Sequence, residues 1–173
     1  ILERFGYSEH EIELVKIAGY MHDIGNAINR THHAEYGALL ANDLLKGTNM
    51  SLEDRITIIS AIGNHDESTG DPEDVISAAL IIADKTDVRR SRVRKKEQST
   101  FDIHDRVNYA VTDSKLKIAK DKSVIALNLQ IDENICSMYD YFEIFLERMM
   151  LCRKSAEVLG TTFKLTVNGR KVL

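Results

Sequence analysis

Apolar positions recur at intervals of three and four residues through the first half of the chain, which predicts amphipathic helices. The first run follows Ser8 and Glu11, which match a capping box. Helices are therefore predicted over residues 8–22, 31–47 and 51–63. A fourth is expected to begin at Asp71-Pro72, a cap followed by a first-turn proline, and the nine residues Val75–Ala83 carry no charge. A helix that is apolar on every side is surrounded by other helices, so this one is predicted to be the centre of a bundle.

From about residue 114 the apolar positions alternate instead, which predicts strands. The predicted elements are two strands within 116–131, a long amphipathic helix over 132–159 and a strand within 163–167. Asn168-Gly169 indicates a hairpin turn after the last strand. We therefore predict a mainly α fold, with a helical domain over residues 1–111 and a small α+β subdomain of ββαβ type over residues 112–173.

Composition narrows the classes of function. The chain has 173 residues, 43% of them hydrophobic, and its 23 Lys and Arg against 27 Asp and Glu give a net charge of −4. This balance argues against a nucleic-acid partner. No apolar run approaches the roughly 20 residues of a membrane span, so no membrane association is expected. Cys136 and Cys152 are expected to be free thiols in a reducing cytoplasm.

Imidazoles and carboxylates cluster at the ends of the predicted helices. They are His22 and Asp23, His32 and His33, His65 and Asp66, and Asp84. A single histidine is usually a satisfied core or surface residue. Three such pairs and Asp84, each at the edge of an apolar helix, are less readily explained by chance. Asp84 follows directly on the charge-free run, where a carboxylate is costly to bury unless it is paired or bound to a cation. The set suits a divalent metal ion.

Helical spacing separates the two adjacent histidines. From His33, steps of three and four residues reach a small and apolar face that includes Gly37 and Ala41, whereas from His32 they reach Tyr36 and Asp43. We therefore expect His33 to point inward and His32 to be partly solvated. His10 lies in a polar first turn and is interpreted as a surface residue.

The ordered motifs MHDIGN, HAEYGA, NHDE and IIADKTD, over about residues 1–95, resemble the HD-domain superfamily of metal-dependent phosphohydrolases. The resemblance implies an HD-type helical bundle that binds one or two divalent ions, of Fe, Mn, Zn, Co, Ni or Mg. The implied metal ligands are His22, Asp23, His33, His65 and Asp84. Asp23 would bridge two ions and hold the attacking water, and Asp66 would be an extra ligand or a partner for a neighbouring imidazole.

The sequence departs from the pattern of the superfamily in several places. The first histidine of that pattern lies on an earlier helix and would precede Ile1, so we expect residues upstream. Related sequences often carry Lys where Asn26 stands, so one phosphate contact is expected to be missing. The GYP signature of the cyclic-di-GMP phosphodiesterases does not follow His65, and HDIGNA lacks the acidic pair of the guanosine tetraphosphate hydrolases.

Basic residues follow Asp84. Lys85, Arg89 and Arg92 have the spacing of one helix face and are candidates for a cationic rim that binds substrate phosphate. The alternative is that they contact only solvent or the carbonyls at the helix end. The whole basic run over residues 89–96 is interpreted in the same two ways, as the solvated end of the central helix or as a phosphate-facing patch.

These observations predict an enzyme that hydrolyses a phosphate ester or anhydride of a nucleotide or another small phosphorylated metabolite with metal-activated water. No side-chain nucleophile motif such as GxSxG is visible. The alternative is a non-enzymatic HD-like regulatory or ligand-sensing module whose metal is structural or lost. The exposed strand edges of the C-terminal subdomain would also allow a homodimer.

Overall fold

The computed structural model describes residues 1–93 and 100–173, and its described part contains seven α-helices and one four-stranded sheet. The helices are α1 (Leu2–Phe5), α2 (Glu9–Met21), α3 (His33–Leu45), α4 (Leu52–Gly63), α5 (Val75–Lys85), α6 (Ile103–Ala110) and α7 (Met138–Val158). The strands are β1 (Val111–Ile118), β2 (Val124–Ile131), β3 (Thr162–Val167) and β4 (Arg170–Lys171). The fold is mainly α with a C-terminal α+β part, as predicted.

Side-chain caps explain where the helices begin. The predicted capping box before α2 is confirmed, because the Ser8 hydroxyl accepts the Glu11 N–H and the Glu11 carboxylate accepts the Ser8 N–H. The predicted start of the central helix at Asp71-Pro72 is wrong. Asp74 and Ser77 form a reciprocal capping box instead, so α5 begins three residues later.

Two more predicted helix starts are wrong. The second helix begins at His33 rather than at Thr31, because His32 adopts a left-handed conformation, with φ of 60°, and ends the preceding turn. The last helix begins at Met138 rather than at residue 132, because the Ser137 hydroxyl caps it by accepting the Asp140 N–H at 3.1 Å.

α5 lies at the centre of the helical part, as the charge-free run predicts. Ile81 and Ile82 are fully buried, and the helix packs against α2, α4 and α7. α7 also contacts β3 and so lies between the central helix and the sheet. The hydrophobic core therefore runs from the helices into the sheet without a break. The division into domains at residue 112 stays a prediction.

The sheet has the order β1-β2-β3-β4. β1 and β2 are antiparallel, β2 and β3 are parallel, and α7 forms the crossover between them. The β3–β4 hairpin turns at Asn168 and Gly169, which have φ of 48° and 76°, so the predicted hairpin is confirmed. No helix of the described residues is long and apolar enough to cross a membrane.

Candidate metal centre

His22 and Asp23 lie at the start of a tight turn that packs directly on α3. His22 ends α2, and a single 3-10 turn, Ile24–Ala27, follows Asp23. A Cβ atom on Gly25 would lie 2.0 Å from the His33 carbonyl oxygen, so only glycine allows this approach. The close contact sets Asp23 beside the start of α3, where His33 lies.

Three imidazoles share one local arrangement. In His22, His33 and His65, the ring Nδ1 lies within hydrogen-bond distance of the backbone carbonyl three residues earlier in the chain. The carbonyls, in the same order, are those of Gly19, Arg30 and Ile62, at 2.7, 3.1 and 2.6 Å. A carbonyl oxygen only accepts, so each Nδ1 carries a proton and each neutral ring keeps its lone pair on Nε2.

These Nε2 atoms converge with two carboxylates. The Nε2 atoms of His33 and His65 are 3.2 Å apart, and His22 Nε2 lies 3.6 Å from Asp84 Oδ1. Asp23 lies close to two of the imidazoles, with Oδ2 3.6 Å from His22 Nε2 and Oδ1 3.6 Å from His33 Nε2. Within the described residues, these side chains form two groups whose ligand atoms all lie within 4.8 Å of one another: His22, His65 and Asp84, and Asp23, His33 and His65.

The spacing fits a bound divalent ion. Ligands that lie about 2.0–2.2 Å from an ion, at angles between 90° and tetrahedral, are about 2.8–3.6 Å from one another. The four separations given above, 3.2 and three of 3.6 Å, fall within this range. Two lone pairs that face each other at 3.2 Å also repel unless a cation or a proton lies between them. The donor set is therefore of the kind that a divalent metal ion requires.

The surroundings of His65 and Asp84 favour the protonation states that bind a metal. His65 is 1% exposed, and burial together with the nearby Lys85 charge lowers its pKa, which favours the neutral imidazole. Burial acts to raise the pKa of Asp84, but the neighbouring His22 imidazole and the Lys85 ammonium outweigh burial and hold the pKa well below the usual range. Asp84 is therefore a carboxylate at neutral pH.

Asn26 has a positioning role that the sequence did not indicate. Its side-chain amide donates to Asp23 Oδ1 at 2.9 Å and to the Asp23 carbonyl at 3.1 Å. Asp23 is half exposed, so this bond restricts a carboxylate that solvent would otherwise let rotate. Asn26 stands where related sequences often carry Lys. Its amide thus orients the Asp23 side chain, which lies close to both groups.

Asp66 lies on the other side of the His33 ring. Its Oδ2 is 3.5 Å from His33 Nδ1, the protonated nitrogen, and its Oδ1 accepts the Ser68 N–H at 2.9 Å. Of the two roles expected for Asp66, this placement favours partnership with an imidazole.

His33 is buried and His32 is exposed, as expected, and the exposed His10 pairs with Asp54 at 2.7 Å.

The interpretation of Lys85, Arg89 and Arg92 as one helix face is wrong, because α5 ends at Lys85 and Arg89 has an extended backbone. The basic residues up to 93 are therefore not the end of that helix either, and 94–96 lie outside the described residues. Arg92 does line a cavity of about 250 Å³ together with His22, Asp23 and Asp84. Its phosphate-binding role stays a prediction.

Lys85 does not face this cavity but takes part in a buried chain of charges. It is 3% exposed, and its Nζ lies 2.9 Å from Asp84 Oδ2 and 2.6 Å from Glu67 Oε2. Glu67 Oε1 in turn accepts from Arg148 Nε of α7 at 2.7 Å. No local pattern indicated the pair of Glu67 and Arg148, because the two residues are 81 positions apart.

Comparison with known proteins agrees with this geometry. The family model of the HD domain matches residues 1–106, which is more than half of the chain and contains all five converging ligands. A search of curated proteins and a search of solved structures found no match. Because the family model matches more than half of the chain, the chain belongs to the HD-domain family, which is part of a superfamily of metal-dependent phosphohydrolases.

Proposed function

We propose that this protein is an enzyme that hydrolyses a phosphate ester or anhydride of a nucleotide or another small phosphorylated metabolite. One observation supports this proposal above the others. Three imidazoles donate Nδ1–H to backbone carbonyls. The Nε2 atoms of His33 and His65 are 3.2 Å apart, and the Nε2 atoms of His22 and His33 lie 3.6 Å from the Asp84 and Asp23 carboxylates respectively. Donation of Nδ1–H to a carbonyl is the usual way in which proteins orient a metal-binding imidazole, so this set suits a divalent ion.

The residues divide into two overlapping groups around His65. His22 and Asp84 lie on one side of it, Asp23 and His33 on the other, and the planes of the His22 and His33 rings are 87° and 84° from that of His65. A divalent ion held by either group would lower the pKa of a water molecule and offset charge on the phosphoryl group. Asp23, which reaches both groups, would orient the attacking water.

The chain supplies positioning rather than a nucleophile. The cavity beside the centre has no serine, threonine or cysteine among the described residues that line it. Asp84 and the buried imidazoles are fixed by hydrogen bonds, so the ligands need little reorganisation when charge develops during the reaction.

The experiment compares adjacent histidines. We expect His33→Asn to lose the metal and at least about 100-fold in phosphate release, a loss of roughly 2.7 kcal/mol in transition-state binding. His32→Asn is the matched control, because asparagine tolerates the left-handed backbone of His32 and its side chain is exposed. Bound metal is measured by elemental analysis, and phosphate release is screened over nucleotides and simple esters with Mn, Fe, Co, Ni or Mg.

The proposal fails if the full chain binds no metal and releases no phosphate. It also fails if His33→Asn keeps both properties. Metal binding with no turnover on any phosphate compound would favour the non-enzymatic module instead.

A further inference from the structure

A second cavity, of about 450 Å³, lies beside the metal centre and is rich in guanidinium groups. We call it the arginine pocket. Its described lining residues are Arg30, Arg92, Val93, Asp102, His104, Asp105, Asn108 and Arg148. The three arginines come from three distant parts of the chain, so the fold and not the local sequence brings them together. A volume of this size is typical of small-molecule sites.

Each arginine is tied to the metal centre by a different contact. Arg92 lines both the arginine pocket and the cavity beside His22, Asp23 and Asp84. The Arg30 carbonyl accepts a hydrogen bond from His33 Nδ1 at 3.1 Å. The pocket is therefore next to the proposed reaction site, within reach of another part of the same substrate.

Arg148 reaches the same centre through ion pairs. It contacts Glu67, which contacts Lys85, which contacts Asp84, at 2.7, 2.6 and 2.9 Å in turn. Its guanidinium also lies over the Phe145 ring, 4.8 Å from the centroid. A guanidinium held between a carboxylate and a ring loses little further freedom when it binds a ligand.

The arginines keep donors for a ligand. Arg148 contacts Glu67 through Nε, and within the described residues neither of its Nη groups has a hydrogen-bond partner. Arg92 donates through Nη1 to the Asp87 carbonyl at 3.0 Å, and Arg30 donates through Nη1 to Asn26 Oδ1 at 3.3 Å. A guanidinium has five N–H donors, so each group can still bind an oxyanion through two parallel bonds.

The two carboxylates that line the pocket also cap α6. Asp102 and Asp105 cap the start of α6, where each side chain accepts the backbone N–H of the other residue, at 2.8 and 3.3 Å. The neutral donors Asn108 and His104 complete the lining. Planar cations with unused donors, next to a centre suited to one phosphate, match the chemistry of a second phosphate group.

We propose that the arginine pocket binds a second phosphate group of the substrate, so that the substrate class is a small molecule with at least two phosphates. The inference rests on the proposed function, because it assigns the first phosphate to the metal centre. It adds a determinant of specificity, since a compound with one phosphate would not use the remaining N–H donors of the three arginines.

Binding of non-hydrolysable probes tests the pocket apart from catalysis. The full chain, loaded with the metal that it retains, is titrated calorimetrically with methylenediphosphonate and with methylphosphonate. The diphosphonate is expected to bind at least about tenfold more tightly, since one charge-assisted contact contributes roughly that factor. The measured quantity is the ratio of the two dissociation constants. Comparison of this ratio between the wild type and the arginine variants cancels any contact that either phosphonate makes with the metal.

Two exposed arginines are suitable for substitution. We expect Arg30→Gln and Arg92→Gln each to reduce the ratio about tenfold. Arg153→Gln is the matched control, because Arg153 lies on α7, is about half exposed and contacts Glu157 rather than the pocket. Circular dichroism verifies that the variants are folded.

The proposal is overturned if the ratio in both variants equals that of the wild type, or if the wild type binds both probes equally. It stands if only the pocket variants lose the preference, even if no compound is hydrolysed, in which case the proposed function alone fails. Conversely, hydrolysis of substrates with one phosphate at the same kcat/KM as their diphosphate counterparts would refute the inference and leave the proposed function intact.

Discussion

Substitution of Lys85 by methionine separates two roles for this residue. As a phosphate ligand, its loss would weaken substrate binding and leave stability unchanged. As a buried counter-ion, its loss would leave Asp84 and Glu67 without the ammonium that lies 2.9 and 2.6 Å from them. Methionine has similar length and no charge, so Lys85→Met removes the charge with little change in packing.

The structure sets the size of the effect. Removal of one partner of a buried ion pair costs about 3–5 kcal/mol in stability. Glu67 and Asp84 are 20% and 16% exposed, and each keeps a second partner, Arg148 and His22 respectively. We therefore expect the lower end of the range, about 3 kcal/mol, which corresponds to a fall in Tm of about 6–12 °C for a chain of this size.

The assay is urea denaturation with a chelator present, so that metal binding does not contribute to the measured free energy. Lys154→Met is the matched control, since Lys154 is 56% exposed and its contact with Asp71 at 3.0 Å is an exposed pair. That control should cost less than about 1 kcal/mol. A cost within about 0.5 kcal/mol for Lys85→Met would refute the buried network, since that is the usual range for surface substitutions.

A double-variant cycle tests the pairing directly. Glu67→Gln removes the charge that Lys85 balances, so Lys85→Met should cost less in that background than in the wild type. A coupling free energy of about 0.5–3 kcal/mol is typical of residues in contact. Additive costs would contradict the contact at 2.6 Å.

Three further predictions concern stability and reactivity. Burial acts to raise the pKa of Glu67, but two neighbouring cations outweigh burial and lower it. Its stabilising contribution is thus present above the ordinary carboxyl pKa and is lost as pH falls through the lower folded value, so urea midpoints below about pH 4.5 should fall less steeply in Glu67→Gln than in the wild type. Tyr141→Phe should keep or raise Tm, because the fully buried hydroxyl has no hydrogen-bond partner among the described residues. Cys136 and Cys152 are buried, and burial raises the pKa of both thiols, so a thiol reagent should label neither until the protein is denatured.

The candidate metal ligands could be predicted because each belongs to a local pattern. His22 and His65 both follow the last turn of a helix, where the ring reaches a carbonyl three residues earlier. Spacing along α3 likewise directed His33 inward, since that choice depends only on which helix face is apolar. No single pattern predicted that these separate helix ends lie together. That prediction came from the order of the motifs, through their resemblance to the HD-domain superfamily.

Periodicity could not predict where α5 ends or how deeply Lys85 is buried. The pattern that continues from Asp84 to Arg92 takes no account of Thr86, whose hydroxyl donates to the Ile82 carbonyl at 2.6 Å in the last turn of α5. Spacing also gives the direction of a side chain but not the thickness of protein above it. Lys85 was therefore expected at a surface, although α7 and Glu67 cover it.

The charge network explains how the ligand Asp84 obtains its orientation. Lys85 holds Oδ2, so Oδ1 is the oxygen that faces His22 Nε2, at 3.6 Å. A buried ammonium needs a second carboxylate to offset its charge, which Glu67 supplies, and Arg148 of α7 balances Glu67 in turn. Arg148 lies beyond the residues matched by the family model. The C-terminal part of the chain therefore contributes to the geometry of a centre whose ligands all come from the first 84 residues, and it does so through charge balance rather than through a ligand of its own.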